Sequence, residues 1–397
     1  MNQQPLTGVT VLDFGQVYNG PYCGFLLAQA GARVIKVESL IGETLRARGQ
    51  TSSASFAFSL LNANKESMTL NIKNADAQAL LKKLAAEVDV VFENFAPGTM
   101  DKYGIGAQAL RAVNPRLIYA SSTGYGTSGG PYRDYLGMDI TLQAMTGVMS
   151  ITGENAGPPL KTAAAFADFI AGTHLYAAIV SALFGREQTG EGATVDVSMQ
   201  DCVFPTLATA MGSLYMKGEQ QPRAGNRHPG QALAPYNVYE AKDGYVAIIC
   251  IREGHWRKLC QAMGTPEIAE EPRFATFADR AAHIDEVDEA VNRWTRALSK
   301  DEVFATAQAH GVICAPVKDL QDVLDDPHLA ARGTLKKNPH EGFGEIMQMQ
   351  TPLRFKDIPP PELTAPPELG NATDAVLKEL GGLSDAQVQA LRDAEAI

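Results

Sequence analysis

The first third of this chain alternates short, β-branched apolar runs with helical patterns, and that alternation restricts the fold more than any other feature. Residues 9–14 (VTVLDF) read as a strand. A turn rich in Gly and Pro follows, then residues 22–30 with Phe25, Leu26 and Leu27 as an apolar patch. Gly31 stops that helix, and residues 33–38 (RVIKVE) give the next strand, which completes one βαβ unit. The pattern continues as strand 68–73, helix 75–87, strand 88–94, short helix 108–113 and strand 117–121. Strands joined by helical crossovers run parallel and are covered on both faces, so an α/β domain with a mostly parallel sheet is expected.

Beyond residue 139 the texture turns helical, with helices expected over 139–148, 169–186 and 200–217 and a strand over 193–199. The polar stretch 218–230 reads as a boundary or mobile loop. Runs at 236–240 and 245–251 then flank a Lys242-Asp243-Gly244 turn, a hairpin signal. Two or three helices follow to about Gly311, then a strand over 312–317, the pattern of a small α+β domain. Pro352, Pro359, Pro360, Pro361, Pro366 and Pro367 mark a tail expected to wrap the large domain or a partner subunit, and a last helix is expected over 374–380.

Charge and special residues narrow the function. Lys and Arg number 34 against 45 Asp and Glu, a formal net charge of −11. Such a chain lacks the basic footprint that nucleic acid or an anionic membrane requires, although a local group of cations can still hold a small anion. Cys23, Cys202, Cys250, Cys260 and Cys314 include no C-x-x-C pair, so reduced thiols in a cytosolic protein are expected. No His pair has a metal-binding spacing, and no metal site is expected. The N-terminus does not read as a signal peptide. The apolar stretch 163–184 is broken by Asp168 and His174 and reads as a buried segment and helix, not a membrane span. A cytoplasmic protein is the expectation.

Two places carry chemistry. The first βα turn, Gly15 to Gly24, matches neither G-x-G-x-x-G nor a P-loop. Either an anion sits there at a helix N-terminus beyond the strand ends, or the turn is merely tight. Asp168 stands alone among small and apolar residues before a long helix. It reads either as that helix's N-cap or as a buried carboxylate acting as nucleophile or base. A helix N-terminus is expected to keep it ionised. Cys23 reads as a core thiol, with no His near it in sequence, and no G-x-S-x-G is present. His174, six residues past Asp168, falls on another helix face and reads as structural.

Several local patterns together resemble a known family. Gly20-Pro21, the run Gly31 to Glu38, Asn64-Lys65-Glu66-Ser67, Glu93-Asn94-Phe95-x-Pro97-Gly98, Ala167-Asp168 and Met199-x-Asp201 occur in an order and spacing that resembles the class III CoA-transferases. That family includes formyl-CoA and acetyl-CoA:oxalate CoA-transferases and α-methylacyl-CoA racemases. The resemblance extends over nearly the whole chain, including Gly225-Asn226-Arg227-His228-Pro229 and the Pro-rich tail.

The resemblance implies a Rossmann-like large domain built from residues 1–217 and a returning segment 326–397, a small α+β domain within 218–325, and an interlocked homodimer. It implies that Asp168 attacks an acyl-CoA thioester and becomes an aspartyl-CoA, with CoA thioesters and small carboxylic acids as substrates and no permanently bound cofactor. Position by position, it implies Tyr18 against CoA or the acyl group, Leu70 and Lys73 near the adenine and its phosphates, and Asn94 and Phe95 beside the nucleotide. Lys102 would meet phosphate, and Met138 and Asp139 the pantetheine end. Gly225, Asn226, Arg227 and His228 would form a substrate loop that excludes water from the anhydride. Without the resemblance, Lys65, Lys73 and Lys102 read equally as solvated surface charge; Arg46 and Arg48 are further cations.

The chain departs from that family's pattern at three places. Met138 stands where the racemase branch carries a His, and a thioether exchanges no proton. An acyl-CoA:carboxylate CoA-transferase therefore leads over a racemase, over an NAD-dependent oxidoreductase without its fingerprint, and over a non-catalytic CoA-binding protein. Ser39 replaces an Arg of the best-known nucleotide site, and a triple-Gly lid is not reproduced.

Overall fold

The computed structural model describes residues 3–47, 53–340 and 344–397. Six strands make the main sheet: β1 (Thr10–Phe14), β2 (Arg33–Glu38), β3 (Glu66–Thr69), β4 (Val90–Glu93), β5 (Ile118–Thr123) and β6 (Thr194–Ser198). Their order is β3-β2-β1-β4-β5-β6 and every pairing is parallel. The chain thus starts in the middle, builds one half, and returns across β1 to build the other. The register sets Leu12 of β1 between Ile35 of β2 and Val91 of β4, all fully buried. Every residue of β5 is buried, as expected of a strand covered on both faces.

Four helices matter for the site: α1 (Asn19–Gln29), α2 (Ala75–Ala85), α3 (Asp139–Met145) and α4 (Phe166–Thr189). Asn74 caps α2 by accepting the Asp76 N–H, and Lys82 and Lys83 sit in its last turn, where the helix dipole favours cations. By length and composition α4 is apolar enough to cross a membrane. In the fold it is a packed helix, with Ala171, Leu175, Ile179 and Leu183 buried along one stripe. Its partner is α1, and the approach is close enough that a Cβ on Gly172 would meet the Asn19 carbonyl oxygen at 2.6 Å.

The chain divides into two compact units. The first comprises Met1–Thr146, Ala163–Pro205 and Pro327–Ile397, and the second Gly147–Thr162 and Thr206–Asp326. The sequence pattern alone places single cuts at 217/218 and 325/326. In the first unit, Val376, Leu377, Val388 and Ile397 of the tail join the same core as Leu12, Ile35, Leu80 and Val91. The proline-rich stretch is pinned by polar bonds: Gln4 Nε2 donates to Pro359 O at 2.7 Å and Asn64 Nδ2 to Glu362 O at 2.6 Å. A hairpin of β10 (Leu335–His340) and β11 (Gly344–Met349) precedes that stretch and has no counterpart in the sequence expectation. The second unit holds an antiparallel sheet of β7 (Tyr236–Ala241), β8 (Gly244–Ile249) and β9 (Ile313–Pro316). Its core gathers Tyr239, Val246, Trp256, Leu259 and Val291.

Three helix boundaries differ from the sequence expectation. The segment 200–217 is not one helix: Met199–Val203 and Ala208–Lys217 are separated by a 3-10 turn, because Pro205 lacks an N–H for the ladder. The helix expected over 139–148 stops at Met145, and Gly147 at φ 90° turns the chain. The long helix begins at Phe166 rather than Phe169, which moves Asp168 inside its first turn.

Lys65 is not a solvated surface charge. Its ammonium lies 2.8 Å from Asp13 Oδ2 with both side chains fully buried. The other two protons go to Pro21 O at 3.0 Å and Asn62 Oδ1 at 2.9 Å. Asp13 Oδ1 accepts the Gly15 N–H at 2.7 Å. Gly24 leaves room for the pair: a Cβ there would stand 2.3 Å from Asp13 Oδ2. Burial pulls the Lys65 ammonium below its ordinary pKa, and Asp13 opposes that pull. Removing one partner strands a buried charge, so Lys65→Met should lower the unfolding free energy by about 3–5 kcal/mol. The measurement is the urea midpoint, and the double variant D13N/K65M should recover part of the loss.

Candidate active site

A cleft of about 310 Å³ opens at the C-terminal ends of β1, β4, β5 and β6, lined by side chains that follow or end those strands. In an open parallel sheet this crevice, where the strand order reverses between β1 and β4, is where ligands bind. Gln16, Val17 and Asn19 come from the first turn, Asn94 and Phe95 from the end of β4, and Ser122 and Thr123 from the end of β5. Tyr135, Leu136 and Met138 supply an apolar wall, and Asp168 enters from the first turn of α4.

The first turn is held by four hydrogen bonds from three side chains. Asn94 Oδ1 accepts the Gln16 N–H at 2.7 Å, and Asn94 Nδ2 donates back to Gln16 O at 3.0 Å. The buried Lys36 ammonium donates to Gly15 O at 2.8 Å, and Glu43 Oε2 accepts the Val17 N–H at 3.1 Å. These bonds keep Val17, a β-branched residue, at φ 64° in the left-handed region, a strained state that persists only where its surroundings over-determine it. Burial pushes the Glu43 carboxyl up, and Lys36 pulls it back. Tyr18, next in the chain, stacks on Phe169 with ring centroids 5.9 Å apart, and Tyr22 meets the same ring edge-on at 4.9 Å.

Asp168 is not an N-cap. Ala165 occupies that position, and Asp168 is the third residue of α4, with no hydrogen bond to its carboxylate among the described residues. Nor does the helix end keep it ionised at low pH. Burial, and secondly the like charge of Asp139, push its carboxyl up to about 7. Asp139 is itself anchored: Oδ1 accepts the Ala167 N–H at 2.9 Å and Oδ2 accepts from Gln143 Nε2 at 2.7 Å. The two carboxylates are therefore coupled through one end of α4.

The other expected residues fall into three groups. Asn94, Phe95 and Met138 line the cleft with Asp168, and Tyr18 and Asp139 pack beside it. Asn94 acts there on the backbone of the turn. Leu70 is 2 % exposed and belongs to the core, so anything it offers a ligand comes from its backbone. Lys73 and Lys102 are exposed and form no ion pair among the described residues, Lys102 lying over the Tyr103 ring. Arg46 is a fork on Glu38, with both bonds at 2.9 Å, and also donates to Pro367 O. Arg48 lies outside the described residues. Gly225, Asn226, Arg227 and His228 belong to the second unit, where Arg227 is clamped by Asp285 and Asp288. His228 accepts the Gly230 N–H, and burial lowers its pKa. His174 is exposed and bonds Ile170 O. Sequence reasoning missed Val17, Asn19, Ser122 and Thr123. The polar run Ser121-Ser122-Thr123 closing a buried strand was the signal that pointed there.

Residues 6–373 match the sequence model of CoA-transferase family III. The chain belongs to this family. A formyl-CoA:oxalate CoA-transferase of Streptomyces coelicolor is 34% identical over 100% of both chains. An acetyl-CoA:oxalate CoA-transferase of Acetobacter aceti is 36% identical, covering 94% of this chain and 95% of that one. Among solved structures, a CAIB/BAIF family protein from Brucella suis superposes with a TM-score of 0.83 at 35% identity, covering 96% of this chain and 100% of that one. The protein is thus a CoA-transferase of family III, and its cleft is the place to look for the chemistry. In this CoA-transferase the Asp168 carboxyl should titrate near 7, and Asp139→Asn should lower that value by removing the like charge. Carboxyl carbon NMR across pH 5 to 9 measures both; a value unmoved by D139N would disprove the coupling.

Proposed function

We propose that the protein is an acyl-CoA:carboxylate CoA-transferase in which Asp168 is the nucleophile. The observation that carries this reading is a half-buried carboxylate without a hydrogen-bond partner among the described residues, lining a cleft at the sheet's reversal point, in a family III CoA-transferase. The ionised carboxylate attacks the thioester carbonyl of the donor. A C–O bond forms, the C–S bond breaks, and CoA leaves as thiolate with the electron pair. The thiolate then attacks the Asp168 carbonyl of the mixed anhydride, and the donor acid departs as its carboxylate. The acceptor carboxylate repeats the sequence in reverse on the aspartyl-CoA, and Asp168 is regenerated. Thioester energy passes on through anhydrides at each stage, so no other energy source enters.

A raised pKa suits this role. A carboxylate with a pKa near 7 is more basic, and so more nucleophilic, than an ordinary one, yet it is largely ionised just above neutrality. On the same reading Lys73 and Lys102 are the free cations for CoA phosphates, Tyr18, Asn94, Phe95, Met138 and Asp139 border the reactive end, and Leu70 contributes through its backbone. Gly225, Asn226, Arg227 and His228 form the substrate loop, with Arg227 shaping it through Asp285 and Asp288. The large unit is Rossmann-like, the enzyme an interlocked homodimer working in the cytoplasm, and the acceptor a small acid, as the oxalate in two relatives' names suggests. A racemase is not favoured, since Met138 supplies no proton-transfer group.

Asp168→Ala should lower transfer by about a thousandfold or more. Incubation of the wild type with acyl-CoA alone should leave CoA linked to the peptide that holds Asp168, as read by mass spectrometry. Because only the ionised form attacks, kcat/KM for the donor should rise with pH through about 7 and then level off. Unchanged transfer in D168A would sink the proposal.

A further inference from the structure

The cleft holds three polar side chains whose hydrogen-bonding capacity is only partly used among the described residues. Asn19 is 2 % exposed, Ser122 1 % and Thr123 5 %. Asn19 Nδ2 donates to Ser122 Oγ at 2.8 Å, whereas Asn19 Oδ1 is buried without a partner. Thr123 Oγ1 is also buried, with no partner among the described residues. Ser122 Oγ already accepts from Asn19, so its own proton remains to be given. Buried polar groups are normally satisfied, and those left open inside a binding cleft await a ligand. Together they offer one acceptor and two hydroxyls, all lining the cleft that Asp168 lines.

Position ties this set to the reacting end of the substrate. Gly172 lies one turn beyond Asp168 on the same face of α4. Its Cα packs against Asn19, since a Cβ there would meet Asn19 O at 2.6 Å. Tyr18, immediately before Asn19, stacks on Phe169, immediately after Asp168. Asn19 and Asp168 thus line one cleft from two helices in contact.

We propose that the acid handled here carries a hydroxyl group close to its carboxyl carbon, donating to Asn19 Oδ1 and accepting from Ser122 or Thr123. A hydroxyl gives one proton and takes another at a single atom, which is what the three side chains require. A second carboxylate gives none, and among the described residues no Lys or Arg lines the cleft to receive it. The inference rests on the proposed role of Asp168.

The test compares acceptors in pairs that differ by one hydroxyl: glycolate against acetate, lactate against propionate, malate against succinate. The full-length enzyme and one acyl-CoA donor are used throughout, and the Asp168-linked CoA adduct is scored in the same samples. The hydroxy member of at least one pair should have a kcat/KM higher by about tenfold or more, because a site built to bond a hydroxyl discriminates against its absence. Thr123→Val, nearly isosteric, and Asn19→Ala should each lower that ratio about tenfold. Equal rates within every pair, or variants that slow both members alike, would overturn the inference and make the set structural or a pantetheine contact. If no adduct forms with any donor, the Asp168 reading itself has failed and this inference falls with it.

Discussion

The cleft depends on an ion pair that water does not reach. Asp13 is the penultimate residue of β1 and Lys65 leads into β3, and their contact also gathers Pro21 of α1 and Asn62. Taking two charges out of water is costly, and the pair is tolerated because each remaining proton of the ammonium finds an acceptor. The return is geometric. With Asp13 Oδ1 on the Gly15 N–H, the chain leaves β1 in one direction only. Lys36, Glu43 and Asn94 then fix the next three residues, and Val17 is held in a conformation it would not adopt alone. The first turn is therefore rigid before any substrate arrives, as a positioning element should be.

The same network changes what the acidic composition means. Of the cations in the N-terminal part, Lys36 and Lys65 are consumed inside the fold and Arg46 is a fork on Glu38. Their charges hold the scaffold instead of meeting a ligand. Lys73 and Lys102 remain exposed and free among the described residues, which suits the phosphates of a CoA ester better than a buried cation would. In the cleft, burial and Asp139 push the Asp168 carboxyl up to about 7. A protein with a net charge of −11 thus keeps the Asp168 carboxylate in a pocket without cationic lining among the described residues.

Much of this was legible in advance. The strand RVIKVE begins and ends where its pattern says, and the parallel pairing of the first five strands follows from an alternation of strands with helical crossovers. Asp168 and Asn94 both reach the cleft. The failures have physical causes. The apolar period ran on through Pro205, whose missing N–H breaks the helix regardless of pattern. The β10–β11 hairpin carries no clean alternation and contains Pro339, so nothing in it announced a strand. Lys65 looked like any surface lysine, because a buried ion pair is invisible until its partner, 52 residues away, is brought to it.

The sequence by itself determined the fold class and the family and singled out Asp168 among small and apolar neighbours, because periodicity and ordered local motifs are properties of the linear chain. Only the tertiary structure decided what surrounds that carboxylate. Burial and Asp139 raise its pKa where a helix end alone would lower it. Asn19, Ser122 and Thr123 come together from positions 103 residues apart, with bonds left open. Desolvation and unsatisfied hydrogen bonds depend on what is packed against a group in three dimensions, and no spacing along the chain encodes them.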